Sequence, residues 1–391
     1  MTNGVTTWYK VLKTEAGRNK TPPSVFLMTR SFTMKNTLLV LITISLFVSA
    51  CGPQAAAPVN IPILPTIIPS STNTLIPEST QTLTPLPTAT ATPIPHPMSI
   101  IGMRAGDYPG SEITIVKELD RGLNYRRYYT YYLSEGLKIY ALLTIPNGEM
   151  PEGGFPAIVF NHGYIPPDVY KTTERYIAYV DEIAKAGYVV FRIDYRGHDA
   201  SEGEASGAYG SPGYQIDVLN AVASIKQLPE VNPEKIGMWG HSMGGYLTLR
   251  TMVISDDVKV GVIWAGVVAS YTDLLYNWRR TGSFTPSPSS SGRGWRTGWI
   301  ETYGAPADNP AFWDSVSANT YLADLSGPLE LHHGTLDEDV PLDFSIRLAE
   351  QARNAGQIAD LYTYEGDNHN ISKYFSTAMQ RTIAFFDLAL K

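Results

Sequence analysis

The sequence predicts an α/β domain built on a mainly parallel, twisted sheet, and three observations carry that expectation. From about Ile100 to Lys391, short apolar runs alternate with amphipathic stretches of helical period. Some of these runs, such as Phe155 to Phe160, are apolar throughout, as strands covered on both faces must be. At Lys235 to Tyr246, KIGMWGHSMGGY, an apolar run passes through a sharp glycine-flanked turn into a helix-forming stretch.

Three strands are expected first, Ile113 to Glu118, the tyrosine-rich Tyr125 to Leu133, and the half-buried Lys138 to Ile145. They would form an antiparallel N-terminal edge to the sheet. The Phe155 to Phe160 strand ends in Asn161-His162-Gly163-Tyr164. A helix follows with Tyr176, Ile177, Val180, Ile183 and Ala184 on one face, and Gly187 ends it. The strand Tyr188 to Ile193 leads into Asp194-Tyr195-Arg196-Gly197-His198, where Asp194 and Arg196 are expected to fix the loop, an ion pair being one way to do so. An amphipathic helix, Tyr214 to Leu228, delivers the chain to the Lys235 to Trp239 strand. Val258 to Val268 reads as a further apolar strand.

The alternation then breaks down between Ser270 and about Leu325. This segment holds Trp278, Trp295, Trp299 and Trp313, several tyrosines, a Ser/Pro/Gly-rich patch and Arg279, Arg280, Arg293 and Arg296. An insertion at this point lies over the C-terminal ends of the strands, where ligands bind in such sheets, so it reads as a cap-like insertion (about 270–325) before the next loop. The aromatics would either form a satellite core or contact substrate. Alternation resumes with Pro328 to His333, ending in Gly334-Thr335-Leu336-Asp337-Glu338-Asp339. The helix Asp343 to Ala355, the strand Asp360 to Tyr364, the loop Glu365 to His369 and a closing helix from about Lys373 to Leu390 complete the chain.

The 391 residues carry a net charge of −7, which argues against a nucleic-acid partner. The first hundred residues are different in kind. Met34-Lys35 reads as a natural start, with residues 1–33 an extension ahead of it. An apolar run from Leu38 to Val48 follows, too short for the roughly 20 residues a membrane span needs, so 1–51 reads as an extension plus secretory signal. Val48-Ser49-Ala50-Cys51 resembles a bacterial lipobox, which makes Cys51 the expected lipid attachment site and the mature N-terminus. Cys51 is the sole cysteine, so no intrachain disulfide is possible. Residues 52–97, with eleven prolines, nine threonines and one charge at Glu78, read as a semi-rigid linker. Residues 98–391 then form the catalytic-domain candidate, extracytoplasmic and lipid-anchored to a bacterial membrane.

Within that domain, Ser242 stands at the apex of a G-x-S-x-G turn, with Gly240 and Gly244 two residues to either side. A serine pushed out above a sheet needs a strained backbone, and its flanking positions approach too closely for side chains. The helix that follows aims its first amides where an oxyanion would form. A serine nucleophile also needs a base, itself oriented by a carboxylate. In chain order these should be an acid and then a histidine, each on a loop beyond a strand. Asp337 lies 95 residues after Ser242, and His369 lies 32 residues after Asp337, each at a strand end. Glu338 and Asp339 are alternative acids by position alone. His332 and His333 lie in or at the end of a strand rather than beyond it. His162 and His241 are expected to shape their loops, and Asp367 to be a loop carboxylate. No histidine/carboxylate set has metal-ligand spacing and no glycine-rich phosphate loop stands out, so no cofactor is indicated.

The segments Trp239 to Leu247, His333 to Pro341, Asn161-His162-Gly163 and Asp194 to Gly197 together resemble an α/β-hydrolase. Within that class the chain from about Leu137 to Lys391 is most similar to the catalytic domain of the prolyl oligopeptidase (S9) family, and then to dienelactone-hydrolase-like and acetyl-xylan-esterase-like enzymes. The resemblance implies Ser242 as nucleophile, Asp337 as orienting acid, His369 as base and an oxyanion hole from the amides of Met243 and Tyr164. The S9 peptidases usually carry a β-propeller ahead of this domain, and no repeat precedes it here. The expectation is therefore a serine hydrolase acting on carboxylic esters, with short peptides as the alternative substrate. A non-catalytic carbohydrate or cell-wall binding module that uses the cap aromatics is the rival from another class.

Overall fold

The computed structural model describes residues 95–278 and 294–391. Cys51, the signal segment, most of the 52–97 linker and Arg279, Arg280 and Arg293 lie outside these residues. The described chain begins with a short helix, α1 (Ile100–Arg104), capped by the Ser99 hydroxyl, which accepts from the Gly102 amide at 3.0 Å.

One nine-stranded sheet follows. Its strands are β1 (Thr114–Leu119), β2 (Tyr125–Ser134), β3 (Leu137–Pro146), β4 (Phe155–Asn161), β5 (Val189–Ile193), β6 (Val231–His241), β7 (Val260–Trp264), β8 (Leu329–Gly334) and β9 (Ala359–Tyr364). Their spatial order is β1-β2-β3-β5-β4-β6-β7-β8-β9. The first three strands pair antiparallel, and β3 joins β5 antiparallel; every pairing from β5 through β4 to β9 is parallel. The sequence expectation of an antiparallel edge on a parallel sheet is what the structure has.

Helices cover both faces, which is why the central strands are mostly apolar, although β5 buries Arg192 and β8 buries Glu330, His332 and His333. In β4, Ala157 and Val159 pack on one side while Ile158 and Phe160 pack on the other. The first side is covered by α3 (Gly213–Ile225), α4 (Met243–Ile254) and α8 (Leu342–Asn354), through Val218, Leu247 and Phe344. The second is covered by α2 (Ile177–Lys185) and α9 (Phe375–Leu390), through Val180, Ile183, Phe386 and Leu390. Each fully buried branched or aromatic side chain of this kind contributes about 1.5–3 kcal/mol.

Three local expectations need correction. Ile177 was expected on the buried face of α2 and is 53% exposed, because the helix begins at that residue and its packed stripe is Val180, Ile183 and Ala184. The run Val258 to Val268 is a strand only over Val260–Trp264. Ala265 turns to φ +46°, and Val267 then spends its amide on the Ser242 carbonyl at 3.0 Å instead of on a sheet neighbour. β3, expected to be half-buried, is buried from Ala141 to Pro146 because it is an interior strand paired on both edges.

The segment between β7 and β8 carries the helices α5 (Tyr271–Tyr276), α6 (Gly294–Tyr303) and α7 (Pro310–Val316), followed by a 3₁₀ turn at Ala318–Asp324. Its aromatics pack mainly on one another. Tyr271 stacks on Trp299 at 5.4 Å and Tyr303 on Phe312 at 4.0 Å, and Trp313 is fully buried. Tyr271, Trp299 and Trp313 are therefore core residues of the insertion and present no face for a ligand.

Candidate active site

The C-terminal ends of β4, β6, β8 and β9 lie along one edge of the sheet, and the loops leaving them bring the expected site residues together. Ser242 connects β6 to α4 with φ +55° and ψ −115°, a region that non-glycine residues avoid at a cost of roughly 1–3 kcal/mol. Three backbone hydrogen bonds hold it there: its amide donates to Trp264 O, and its carbonyl accepts from the amides of Gly245 and Val267, each at 3.0 Å. The flanking glycines are obligatory for steric reasons. A Cβ on Gly244 would collide with the carbonyl oxygen of Asn161, and one on Gly240 would strike the Gly244 carbonyl and the Thr248 hydroxyl. Met243 supplies the first amide of α4, which helix geometry leaves without an acceptor of its own.

Asp337 lies in the loop after β8 with its side chain inaccessible to solvent. Its Oδ1 accepts from the amides of Asp339 (2.8 Å) and Val340 (3.0 Å). Its Oδ2 lies 2.8 Å from His369 Nδ1 and 3.0 Å from His333 Nε2. Burial alone would raise its pKa, but the hydrogen bonds from His333 and His369 outweigh it and hold the carboxyl well below the usual carboxylate range. Of the three neighbouring acids, it is Asp337 whose carboxylate meets His369; Asp339 contributes its amide. With Nδ1 committed to Asp337, His369 has Nε2 left to face a hydroxyl.

Ser242, His369, Gly163, Tyr164, Tyr176 and Arg175 line one pocket of about 380 Å³. Gly163 abuts Ser242 closely: a Cβ built on it would lie 3.2 Å from Ser242 Cβ. The Gly163–Tyr164 turn is backed by His162, which is buried, stacks on Tyr170 at 4.5 Å and lies 2.7 Å from the Gly163 carbonyl through Nδ1. Asp367 accepts from the amides of Asn368, Lys373 and Tyr374 at 2.9–3.1 Å, and so staples the loop that presents His369.

Asp194 and Arg196 do not pair with each other. Arg196 clasps Asp217 of α3 at 2.7 Å and Glu135 of the β2–β3 turn at 2.9 Å. Asp194 accepts from Tyr170 (2.6 Å) and Thr172 (2.7 Å), and burial pushes its pKa up to about 7. As neighbours two apart in sequence their side chains diverge, so each finds its partner on another element. His333 is a participant that sequence reasoning passed over. A histidine inside an apolar strand must have polar partners when buried, and that was the available signal. Among the described residues no group of three or more His, Cys, Asp or Glu is placed to hold a metal ion.

A hydroxyl on a strained strand–helix turn, above a parallel sheet, beside an imidazole oriented by a buried carboxylate on the next loops defines an α/β-hydrolase. Residues 175–391 match the prolyl oligopeptidase family (peptidase S9), and the chain belongs to that family. Mouse dipeptidyl peptidase 8 is 24% identical over 252 residues, which are 62% of this chain and 26% of the relative. The chain thus spans about a quarter of that curated relative. Among solved structures, Pyrococcus horikoshii acylaminoacyl peptidase is similar with a TM-score of 0.53 and 24% identity, covering 68% of this chain and 42% of its own. An acetyl xylan esterase from Paenibacillus sp. R4 gives a TM-score of 0.54 at 17% identity, with 73% and 91% covered.

Proposed function

We propose that the protein hydrolyses small carboxylic esters through an acyl-enzyme on Ser242. The observation that supports this most directly is the 2.8 Å contact between Asp337 and His369 at the wall of a pocket that Ser242 also lines. In this reading Ser242 Oγ adds to the ester carbonyl as His369 Nε2 takes its proton. The oxyanion is met by the Met243 and Tyr164 amides. Collapse releases the alcohol with the proton from His369, and a water deprotonated by His369 then frees the acid. The pocket, near the lower end of the ~300–1,000 Å³ typical of ligand sites, suits a short acyl group. An alkoxide is also a better leaving group than an amide nitrogen, so esters ask less of the same machinery.

The peptidase reading draws on the names of relatives, dipeptidyl peptidase 8 and acylaminoacyl peptidase. Offering p-nitrophenyl acetate and butyrate alongside alanyl- and prolyl-p-nitroanilides separates the two. Ester turnover with no anilide turnover supports the ester reading; comparable kcat/KM on the anilides overturns it. Activity surviving in Ser242→Ala would remove the mechanism altogether. Lipidation of Cys51 and an extracytoplasmic location complete the proposal on the strength of the lipobox-like sequence. A Cys51→Ser chain that stayed in the membrane fraction would refute the anchor.

A further inference from the structure

Three hydrogen bonds join the loop after β4 to the loop after β9 by way of the histidine that precedes Ser242. The Gly163 amide donates to Tyr176 Oη at 2.9 Å, Tyr176 Oη lies 2.7 Å from His241 Nδ1, and His241 Nε2 lies 3.0 Å from the His369 carbonyl oxygen. Each group has one possible role. A carbonyl only accepts, so Nε2 carries the ring proton; Nδ1 of the neutral ring then accepts from the Tyr176 hydroxyl, whose oxygen accepts from Gly163. Donor follows donor in a single direction from Gly163 to His369, the arrangement in which such bonds reinforce one another.

The surroundings hold the ring in that state. Burial, with the nearby His369 adding to it, lowers the His241 pKa to about 3, so the imidazole stays neutral at any ordinary pH. Both of its nitrogens are engaged, which excludes it as a proton carrier. Its ring centroid lies 4.6 Å from that of His369. Tyr176 reaches it from the start of α2 with φ +56°, an uncommon conformation for a bulky residue, and packs edge-on against Phe160 at 5.6 Å. The parts converge on one atom position: a Cβ on Gly163 would lie 2.7 Å from Tyr176 Oη, 3.0 Å from His241 Nδ1 and 3.2 Å from Ser242 Cβ.

From this geometry we infer that Tyr176 and His241 are positioning residues, a relay that sets the Gly163–Tyr164 turn and the His369 backbone at fixed places on either side of Ser242. Both line the pocket beside Ser242, and their polar atoms are spent on each other and on the two loops. One chain of bonds fixes both the oxyanion side and the base side of the site, so loosening either end loosens the other. The inference rests on the serine-hydrolase mechanism proposed above.

The test is a double-mutant cycle on the full chain with p-nitrophenyl acetate, using Tyr176→Phe, His241→Gln and the double variant, with Ser242→Ala as reference. Breaking one link of a preorganised site should lower kcat roughly tenfold or more while KM stays within about twofold. Because the relay acts as a unit, the double variant should be no slower than the slower single one. Wild-type kcat in Tyr176→Phe, or losses that multiply in the double variant, overturns the relay. Tyr176→Phe removes one oxygen and keeps the ring, so it decides the matter alone where His241→Gln does not fold. Turnover by Ser242→Ala would instead overturn the mechanism on which the relay rests, and the two failures are told apart by that control.

Discussion

His333, in β8, and His369, in the loop after β9, approach the same oxygen of one carboxylate, at 3.0 and 2.8 Å from Asp337 Oδ2. His333 Nε2 also lies 3.0 Å from Val340 O, and its Nδ1 lies 2.8 Å from the Ser345 hydroxyl. A nitrogen facing a carboxylate and a carbonyl must carry a proton, and with Nδ1 bonded to the Ser345 hydroxyl both ring nitrogens are engaged and the ring is fixed. The carboxylate that meets His369 is thus itself held by a second, fully buried histidine.

Removing that second histidine should be costly in two ways. His333→Ala leaves a buried carboxylate short of a donor and the Ser345 hydroxyl unpaired, a loss of about 2–4 kcal/mol in unfolding free energy. Activity should fall roughly tenfold in kcat as Asp337 loses its orientation. Urea unfolding and ester turnover on the same preparation measure both; unchanged stability and turnover would show that the His333 contacts do not support the carboxylate.

Asp337→Asn should leave the fold standing and lower kcat by about 10³–10⁴-fold, because an amide that donates to His369 favours the wrong tautomer. Steady-state turnover of p-nitrophenyl acetate reads this directly. A loss below tenfold would mean that His369 is oriented by something else.

Two carboxyls should give stability opposite responses to pH. The Asp337 pKa is depressed in the folded state, so its stabilising contribution is present above about pH 4 and is lost as pH falls toward the folded value. Asp194 is raised to about 7 in the folded state. Between roughly pH 4 and 7 the folded protein holds that proton more tightly than the unfolded chain, so stability falls as pH rises through this window. Asp194→Asn should flatten that decline. Urea midpoints for wild type and variant across pH 4–8 check it, and parallel curves would contradict the assignment.

Trp299 is 9% exposed and packs against Tyr271, Trp295, Phe312 and Trp313. Truncating it to alanine should cost about 3–5 kcal/mol of stability. Fluorophosphonate labelling of the folded variant at low temperature should persist, because the ring lies in the core of the insertion. Loss of labelling with unchanged thermal stability would reveal a substrate contact instead.

Much of this architecture is legible in the sequence for physical reasons. Strands buried on both faces, such as Val260–Trp264, are apolar throughout, and a turn that needs positive φ and close backbone approach shows itself as Gly240, Ser242 and Gly244. Asp337 and His369 could be picked out because strand order puts them on adjacent loops. What stayed hidden depends on direction in space. Tyr176 sits where helical periodicity marks an apolar position, yet its hydroxyl turns toward His241. The partner of Arg196 is Asp217, one helix away, and no spacing rule selects it over Asp194. The cap aromatics gave composition without orientation, and only packing shows which of them are core.

His96, at the entrance to the described domain, stands edge-on to Trp299, Tyr303 and Phe312 at 5.1–5.4 Å, with Nε2 3.1 Å from the Tyr303 hydroxyl. Four residues on, α1 begins, and the buried Arg250 of α4 binds the Met98 carbonyl at 2.7 Å. A pull on the chain ahead of His96 is therefore delivered first to the insertion between β7 and β8 and to the nucleophile-bearing helix. The sheet receives it only afterwards. The chain that enters at His96 is thus clasped by the insertion and by the helix behind Ser242 before it reaches the sheet.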